Sequence, residues 1–198
     1  MHGMVEQVRL PDLRSMDALA SSLERSPELF PHSYDPRADT LTLIRLSEAD
    51  YSKASFLDER ALGPHTLTRT LPWGQVEAAV AATRLAERCQ WIFHISHVGS
   101  TLLSRLLGAS DAVFALREPA LLRLFAQMKN EPELQRRAWP DAEFEARLAL
   151  LLRLWSRSFR AQQTPLIKAT SYASEPARAL LARPARPKAI LLFVSAQS

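Results

Sequence analysis

Residues 91–107, WIFHISHVGSTLLSRLL, combine an apolar run, a short turn of small residues and a helical pattern. The turn contains Gly99, Ser100 and Thr101. A strand, a tight loop and a helix in this order direct the helix N-terminus and several free backbone N–H groups toward an anion, usually a phosphate. The spacing therefore predicts an anion-binding loop at this junction.

The loop departs from the pattern of nucleoside-triphosphate loops, G-x-x-x-x-G-K-[ST], in which a lysine contacts the phosphates and a hydroxyl helps to hold Mg²⁺. When Gly99 and Thr101 are placed on the second glycine and the hydroxyl residue, His94 falls on the first glycine and Ser100 on the lysine. An enzyme acting on ATP or GTP would then need positive charge from elsewhere in the chain. A nucleotide-dependent kinase stays open as an alternative.

A second sequence feature lies close to the loop. The loop HISHVGSTLLSRLL and the following SDAVFALREPALL together resemble the phosphate-binding region of P-loop sulfotransferases, particularly carbohydrate sulfotransferases and bacterial sulfotransferase-like proteins. The resemblance covers about residues 93–195. It implies that 3′-phosphoadenosine 5′-phosphosulfate is the cofactor and that a hydroxyl of a carbohydrate or small molecule is the acceptor.

The resemblance also assigns roles to individual residues. It implies that Glu118, which precedes Pro119, is the catalytic base, and that His97 stands at the basic position of the loop and contributes to catalysis. Lys168 lies on a predicted strand where such proteins often have a lysine. The residues implied to bind the cofactor are His97, Val98, Gly99, Ser100, Thr101 and Ser195.

Physical chemistry agrees with these assignments. Sulfuryl transfer develops negative charge that needs fixed donors, and the N–H groups of a helix N-terminus supply them without a metal. The acceptor hydroxyl must lose its proton, and a carboxylate at the C-terminal end of a parallel strand lies on the ligand side of the sheet. Glu118 meets this requirement if residues 112–118 form a strand.

Two departures from the family pattern weaken the expected cofactor site. His97 replaces a Lys or Arg and carries at most about half a charge near neutral pH. Ser195 stands where the families have an Arg that binds the 3′-phosphate, and the sequence stops three residues later. We therefore expect a C-terminally truncated domain that binds the nucleotide weakly, so an inactive nucleotide-binding or partner-binding module is a further alternative.

The order of the predicted elements indicates an α/β protein. Near-continuous apolar strands that alternate with helices favour a parallel sheet covered on both faces. The resemblance implies a P-loop three-layer fold for this sheet, with the expected strand order 2-3-1-4. The last strand is expected to expose an apolar edge and to favour homo-oligomers. We assign residues 90–198 to this domain, with strands at 91–96, 112–118, 164–171 and 188–195, and helices at 100–110, closed at Gly108, and 141–160.

Residues 1–89 contain no motif that indicates chemistry, and we interpret them as a mostly helical extension with one or more short strands. Ser47 and Asp50 form a weak capping-box signal for one of its helices. The predicted elements are helices at 12–25, 47–62 and 73–89, a strand at 40–46 and a proline-rich loop at 26–36.

Composition limits the class of protein. No apolar run reaches the roughly 20 residues of a membrane span, and the first 13 residues lack the features of an export signal. The single cysteine, Cys89, fits a reducing compartment and a core position, so a cytoplasmic location is expected.

The formal charge is +4, but the basic residues are scattered, so nucleic-acid binding is not expected. His94 and His97 should point to opposite sides of an extended segment, so no metal site is expected.

Overall fold

Two β-sheets organise the chain in the computed structural model, which describes residues 15–95, 98–174 and 176–193. The strands are β1 (Leu29–Asp35), β2 (Thr40–Arg45), β3 (Thr68–Pro72), β4 (Gln90–His94), β5 (Val113–Arg117), β6 (Thr164–Lys168) and β7 (Ala189–Leu192). The α-helices are α1 (Met16–Arg25), α2 (Glu48–Lys53), α3 (Trp73–Ala81), α4 (Ser100–Gly108), α5 (Ala120–Asn130), α6 (Pro132–Ala138), α7 (Asp141–Trp155) and α8 (Ala177–Leu181), and short 3-10 turns occupy Glu59–Ala61 and Ser171–Ser174.

The larger sheet has four parallel strands in the order β5-β6-β4-β7. This confirms the predicted α/β class and the strand order 2-3-1-4. The strands are shorter than predicted, and for the last strand residues 194 and 195 lie outside the described part of the chain. Parallel strands need crossover connections, usually helices, which cover and bury the sheet, and this explains why the apolar runs of the strands alternate with helices in the sequence.

The two faces of this sheet pack against different partners. Trp91 and Phe93 stack with ring centroids 5.5 Å apart, and both belong to the main hydrophobic core. Helix α4 packs on the opposite face, where a Cβ on Gly108 would lie 2.9 Å from the Cβ of Ala115. Helix α4 ends at Gly108 as predicted, and Gly108 has no positive φ, so its role there is to permit the close approach of helix and strand.

The N-terminal part contains an antiparallel sheet of order β1-β2-β3. The prediction of a loop at 26–36 is therefore wrong, because β1 occupies most of it, whereas the predicted strand at 40–46 corresponds to β2. The interpretation of this part as mostly helical with one or more short strands is not confirmed, since three strands form a sheet there. Pro31 lies in β1, which is an edge strand with a register irregularity between Pro31 and Ser33. Edge strands and bulges tolerate proline because its missing N–H is not needed for the ladder there.

Two predicted helices of the N-terminal part begin with a serine cap. The Ser15 side chain accepts from the Ala18 N–H at 3.2 Å at the start of α1, and residues 12–14 of the predicted helix lie outside the described part. Ser47 and Asp50 form the predicted capping box of α2. Helix α2 nevertheless ends at Lys53 rather than near residue 62, because the following segment runs beside β5 and Leu57 donates its N–H to the Arg117 carbonyl oxygen at 2.7 Å.

Two other helices also end before their predicted limits. Helix α3 ends at Ala81 instead of residue 89, and α7 ends at Trp155 instead of residue 160. The Arg88 N–H donates to the Ser156 hydroxyl at 2.8 Å, which joins the two segments that leave these helices. The buried Arg157 guanidinium donates to carbonyl oxygens between α1 and β1, and burial lowers its pKa to about 10.

Helices α5 and α6 lie where no element was predicted.

Residues on both sides of position 90 contribute to one hydrophobic core. Tyr51 from α2 contacts Phe114 of β5 at a centroid distance of 4.9 Å, and Phe159 contacts Phe114 at 5.5 Å.

Cys89 is buried as predicted, and burial raises the pKa of its thiol to about 12. No helix within the described ranges has both the length and the apolarity needed to cross a membrane.

Candidate functional site

Three titratable side chains meet where adjacent parallel strands end. His94 is the last residue of β4, Lys168 is the last residue of β6, and Glu118 directly follows β5. The Lys168 ammonium contacts the Glu118 carboxylate, and His94 Nε2 lies 3.9 Å from Glu118 Oε1. Ligands of open α/β sheets bind outside this edge, so the arrangement forms a candidate active site.

The Lys168–Glu118 ion pair lies at the boundary between core and solvent. The Lys168 side chain is 2% exposed, whereas the Glu118 side chain is 13% exposed. Removing one partner of a buried pair leaves an uncompensated charge in a poorly solvated place, which is costly. The pairing therefore holds the carboxylate in a defined position while one side of it stays open to solvent.

Glu118 also has an unusual backbone. Its φ is +49°, in the left-handed region that residues with a Cβ rarely adopt. Its N–H donates to the Lys168 carbonyl oxygen at 2.8 Å. The Leu57 backbone binds the residues on both sides of this turn: its N–H donates to the Arg117 carbonyl oxygen, and its carbonyl oxygen accepts from the Ala120 N–H at 3.0 Å. Backbone strain of this kind persists where surrounding contacts enforce it, and it is concentrated at functional sites.

Arg117 points away from the carboxylate, as the alternation of strand side chains predicts. Its buried guanidinium donates to the carbonyl oxygens of Tyr51, Ser52 and Ala54 at the C-terminal end of α2. Burial, together with the charge of Arg105, lowers the pKa of Arg117. Through these hydrogen bonds, Arg117 connects the end of β5 to α2 in the N-terminal part of the chain.

The predicted loop precedes α4, which begins at Ser100 as expected. Gly99 is the N-cap residue with φ +76°, and its carbonyl oxygen accepts from the Leu103 N–H at 3.0 Å. No described residue accepts a hydrogen bond from the backbone N–H groups of Ser100, Thr101 or Leu102. The binding of an anion by these donors stays a prediction.

The other predicted loop residues are placed only in part. Val98 and Thr101 are half-buried, and Ser100 is buried. His97 and Ser195 lie outside the described residues, so their predicted roles in binding and catalysis stay predictions.

His94 is a site residue that the sequence interpretation did not assign. Its Nε2 lies 2.8 Å from the Ala169 carbonyl oxygen and its Nδ1 lies 3.0 Å from the Ile95 carbonyl oxygen. The ring is therefore fixed between two backbone segments beside Glu118. The signal in the sequence was a polar residue at the C-terminal end of each predicted neighbouring strand, a position that faces ligands in such sheets.

The segment after α2 forms a wall beside the ion pair. The Phe56 ring lies 5.3 Å from Lys168 Nζ, and the Arg60 guanidinium lies 3.5 Å from the centre of the same ring. Asp58 binds Arg60 at 2.9 Å and contacts Arg123 at 3.4 Å. The hydrogen bond from Arg60 holds the pKa of Asp58 below its usual range.

Two clefts lie near these elements. One, of about 480 Å³, is lined by Phe56 and Arg60 together with α2 residues, so it shares its wall with the ion-pair site. The other, of about 770 Å³, lies between α2 and the C-terminal half of α4, and neither Gly99 nor Glu118 lines it. Glu118, Lys168 and Gly99 do not line the smaller cleft either, and its link to the ion pair is through Phe56 and Arg60.

Within residues 15–95, 98–174 and 176–193, no group of three or more His, Cys, Asp or Glu side chains could hold a metal ion. Comparisons of the chain with models of protein families, with curated proteins and with solved structures gave no match. The candidate function therefore depends on the geometry around Glu118 and on the sequence resemblance of the loop.

Proposed function

We propose that this protein transfers a sulfuryl group from 3′-phosphoadenosine 5′-phosphosulfate to a hydroxyl of a carbohydrate or small molecule. The main support is the backbone of Glu118, which has φ +49° and lies beside Lys168. Both residues lie at the C-terminal ends of the parallel strands, and α4 starts on the same side of the sheet. A glutamate with an unfavourable backbone and a buried cationic partner is costly for a purely structural position. The proposal includes the P-loop three-layer fold for the parallel-sheet part of the chain.

The residues at the start of α4 fit an anionic cofactor. The N–H groups of Ser100, Thr101 and Leu102 have no acceptor among the described residues, and Gly99 has a conformation that a Cβ would disfavour. Such N–H groups and the helix dipole stabilise phosphate oxygens. When bound, the cofactor supplies the sulfuryl group; Gly99, Ser100 and Thr101 would hold its 5′-phosphosulfate.

The strand-end residues then have separate roles. The Glu118 carboxylate accepts the proton of the acceptor hydroxyl, because it is the partly exposed member of the pair. Lys168 holds that carboxylate in place, and its ammonium stabilises negative charge that develops beside it. The Leu57 backbone keeps the turn that contains Glu118 against the end of β5.

We place the acceptor in the cleft of about 480 Å³ lined by Phe56 and Arg60. Its size lies within the range of roughly 300–1,000 Å³ of small-molecule sites. Phe56 provides apolar surface next to Lys168, and the exposed Arg60 provides hydrogen-bond donors. An acceptor hydroxyl at this wall would approach Glu118 from the N-terminal part of the chain.

A thermal-shift experiment tests the proposal against its two alternatives. We expect adenosine 3′,5′-bisphosphate to raise the melting temperature, because a ligand at 100 times its Kd stabilises a protein by about 2.7 kcal/mol. Stabilisation by ATP–Mg²⁺ or GTP–Mg²⁺ alone would instead support a kinase. Stabilisation by adenosine 3′,5′-bisphosphate without sulfuryl transfer to any hydroxyl acceptor would support an inactive binding module.

A further inference from the structure

The larger cleft, which we call the α2–α4 cleft, has no role in the proposed function. Its volume is about 770 Å³, and residues of α2, of the C-terminal half of α4 and of β5 line it together. Small-molecule sites have volumes of roughly 300–1,000 Å³, so the cleft is large enough for a ligand. The side chains of the lining then indicate what kind of molecule fits.

The charged side chains that line the α2–α4 cleft are mostly cationic. They are Lys53, Arg105 and Arg117, with Glu48 as the one acidic member. The Glu48 carboxylate already pairs with Arg160 at 2.6 Å. Among the described residues, no acidic side chain lies within 4.0 Å of the three lining cations. A cleft lined by charges of one sign attracts molecules of the opposite sign.

Arg117 supplies a buried donor to this cleft. The residue is 4% exposed, and its Nε and Nη2 donate to carbonyl oxygens at the end of α2. No described residue accepts a hydrogen bond from its Nη1, and this atom is not enclosed by protein. A charged donor in a poorly solvated place is costly to leave without an acceptor. Because Arg117 lines the cleft, Nη1 is available to a ligand there.

Arg105 is held in place on the other side of the cleft. It lies on α4, and its Nη2 donates to the hydroxyl of Ser55, which follows α2, at 2.7 Å. A side chain that is already ordered loses less entropy when a ligand binds. Burial, together with the charge of Arg105, lowers the pKa of Arg117, so the two guanidinium groups lie near enough to repel each other. An anion bound by both groups would offset this repulsion.

We infer that the α2–α4 cleft binds a small organic phosphate, whose phosphate group contacts Lys53, Arg105 and Arg117. A phosphate ester carries about 1.5 to 2 negative charges near pH 7 and three acceptor oxygens. It can therefore bond three separate cations, whereas a carboxylate has one charge and two oxygens. The site is distinct from the predicted anion loop, because Gly99 does not line the cleft. The inference does not depend on the proposed enzymatic function.

The rest of the lining fits an apolar organic group. Ala49, Ala109 and Val113 contribute small apolar side chains, and the two alanines are exposed. A phenyl ring bound beside them would remove apolar surface from water, which adds affinity. Phenyl phosphate, which has one phosphate and one ring, is therefore the probe of choice.

Calorimetry with phenyl phosphate and the full chain tests the inference. We expect Arg105→Gln to weaken binding by at least about tenfold, because a hydrogen bond between two charged groups is lost. Ala49→Trp should weaken it by a similar factor, since the larger side chain fills the cleft without changing the charge. The matched control is Arg25→Gln, at an exposed arginine of α1 that lines none of the clefts, and it should bind as the natural protein does.

Three results would overturn the inference. The first is no measurable binding of phenyl phosphate, and the second is an unchanged affinity in both Arg105→Gln and Ala49→Trp. The third is an equal affinity for benzoate, which carries a carboxylate on the same ring. Binding that Gly99→Ala removes and Arg105→Gln leaves intact would assign the phosphate to the start of α4. That result would also overturn the inference, while it would support the predicted anion loop.

Discussion

Glu118 and Lys168 are joined twice, once through their side chains and once through the backbone. The Lys168 ammonium contacts the Glu118 carboxylate, and the Lys168 carbonyl oxygen accepts the Glu118 N–H at 2.8 Å. The first contact joins the charges, and the second helps to enforce the positive φ of Glu118. The position of the carboxylate is therefore set by a neighbouring strand rather than by its own side-chain preferences.

Replacing Glu118 tests its role as a base. Glu118→Gln keeps the shape of the side chain but removes a basic carboxylate, so we expect turnover to fall by about 10²-fold or more. The Kd for adenosine 3′,5′-bisphosphate, measured by calorimetry, should stay within about threefold of its original value, a change of under 1 kcal/mol. Glu77→Gln on the exposed side of α3 is the control, and equal turnover of the two variants would exclude Glu118 from the mechanism.

Replacing Lys168 tests the energy of the ion pair. Lys168→Met leaves the Glu118 carboxylate without its ammonium partner and should lower the free energy of unfolding by roughly 3–5 kcal/mol. The double variant Glu118→Gln/Lys168→Met should be more stable than the sum of the single effects, with a coupling energy of about 1–3 kcal/mol. Urea unfolding of the four proteins measures this coupling, and additive effects would show that the contact contributes no stability.

The backbone strain at Glu118 predicts an unusual preference for glycine. In a Lys168→Met background, Glu118→Gly should be more stable than Glu118→Ala by about 1 kcal/mol, because alanine is disfavoured at φ +49°. At Glu77 in α3 the order should reverse by about the same amount, because glycine weakens helices. Thermal unfolding of the two pairs compares these preferences, and a preference for alanine at both positions would show that Glu118 is unstrained.

Two glycines of α4 and its cap should respond differently to alanine. Gly99→Ala meets no atom within 4 Å but is disfavoured at φ +76°, so we expect a loss of about 1 kcal/mol in stability. It should also weaken adenosine 3′,5′-bisphosphate binding, because the cap sets the direction of the N–H groups. Gly108→Ala places a Cβ 2.9 Å from Ala115 and should cost roughly 1–3 kcal/mol without lowering affinity in the folded protein. Calorimetry would contradict this assignment if both variants bound equally well.

The Asp58 carboxylate predicts a dependence of stability on pH. The hydrogen bond from Arg60 lowers its folded-state pKa below the unfolded value of about 3.9. Its contribution is therefore complete above the unfolded pKa and is lost as pH falls through the folded pKa. Asp58→Asn should reduce the free energy of unfolding by about 1–3 kcal/mol at pH 7, and the difference from the natural protein should shrink below about pH 4.

Urea unfolding between pH 7 and pH 3 measures this difference. Asp111→Asn is the control, because the Asp111 side chain is 95% exposed and should change stability little at any pH. A constant difference for Asp58→Asn across the whole range would show that its charge is not what stabilises the fold.

Local patterns in the sequence were sufficient for much of the larger sheet. Apolar runs separated by helical periodicity predicted four parallel strands, because parallel strands require crossover connections of that length. The strand order was expected from the P-loop fold that the resemblance implies, not from these runs. The glycine before residues 100 and 101 marked the start of α4, and the Ser47–Asp50 spacing marked the start of α2. The strands and the starts of these two helices depend on residues close together in the chain, so the sequence pattern predicts them without knowledge of the tertiary fold.

Tertiary contacts decided the features that those patterns missed. Pro31 stands in a strand because β2 supplies a partner for an edge with an irregular register. Helix α7 ends at Trp155 because Arg157 is bound by carbonyl oxygens more than 120 residues away in sequence. Such contacts outweigh helix periodicity, since a buried guanidinium must be satisfied where the fold places its acceptors.

The candidate site divides in the same way. The sequence by itself determined Gly99 as the cap of the loop and Glu118 as the carboxylate after a strand. Only the tertiary structure decided that His94 and Lys168 lie beside Glu118 and that its φ is positive. The physical reason is that strand pairing brings together residues 24 or more positions apart, and their contacts arise only when the sheet has formed.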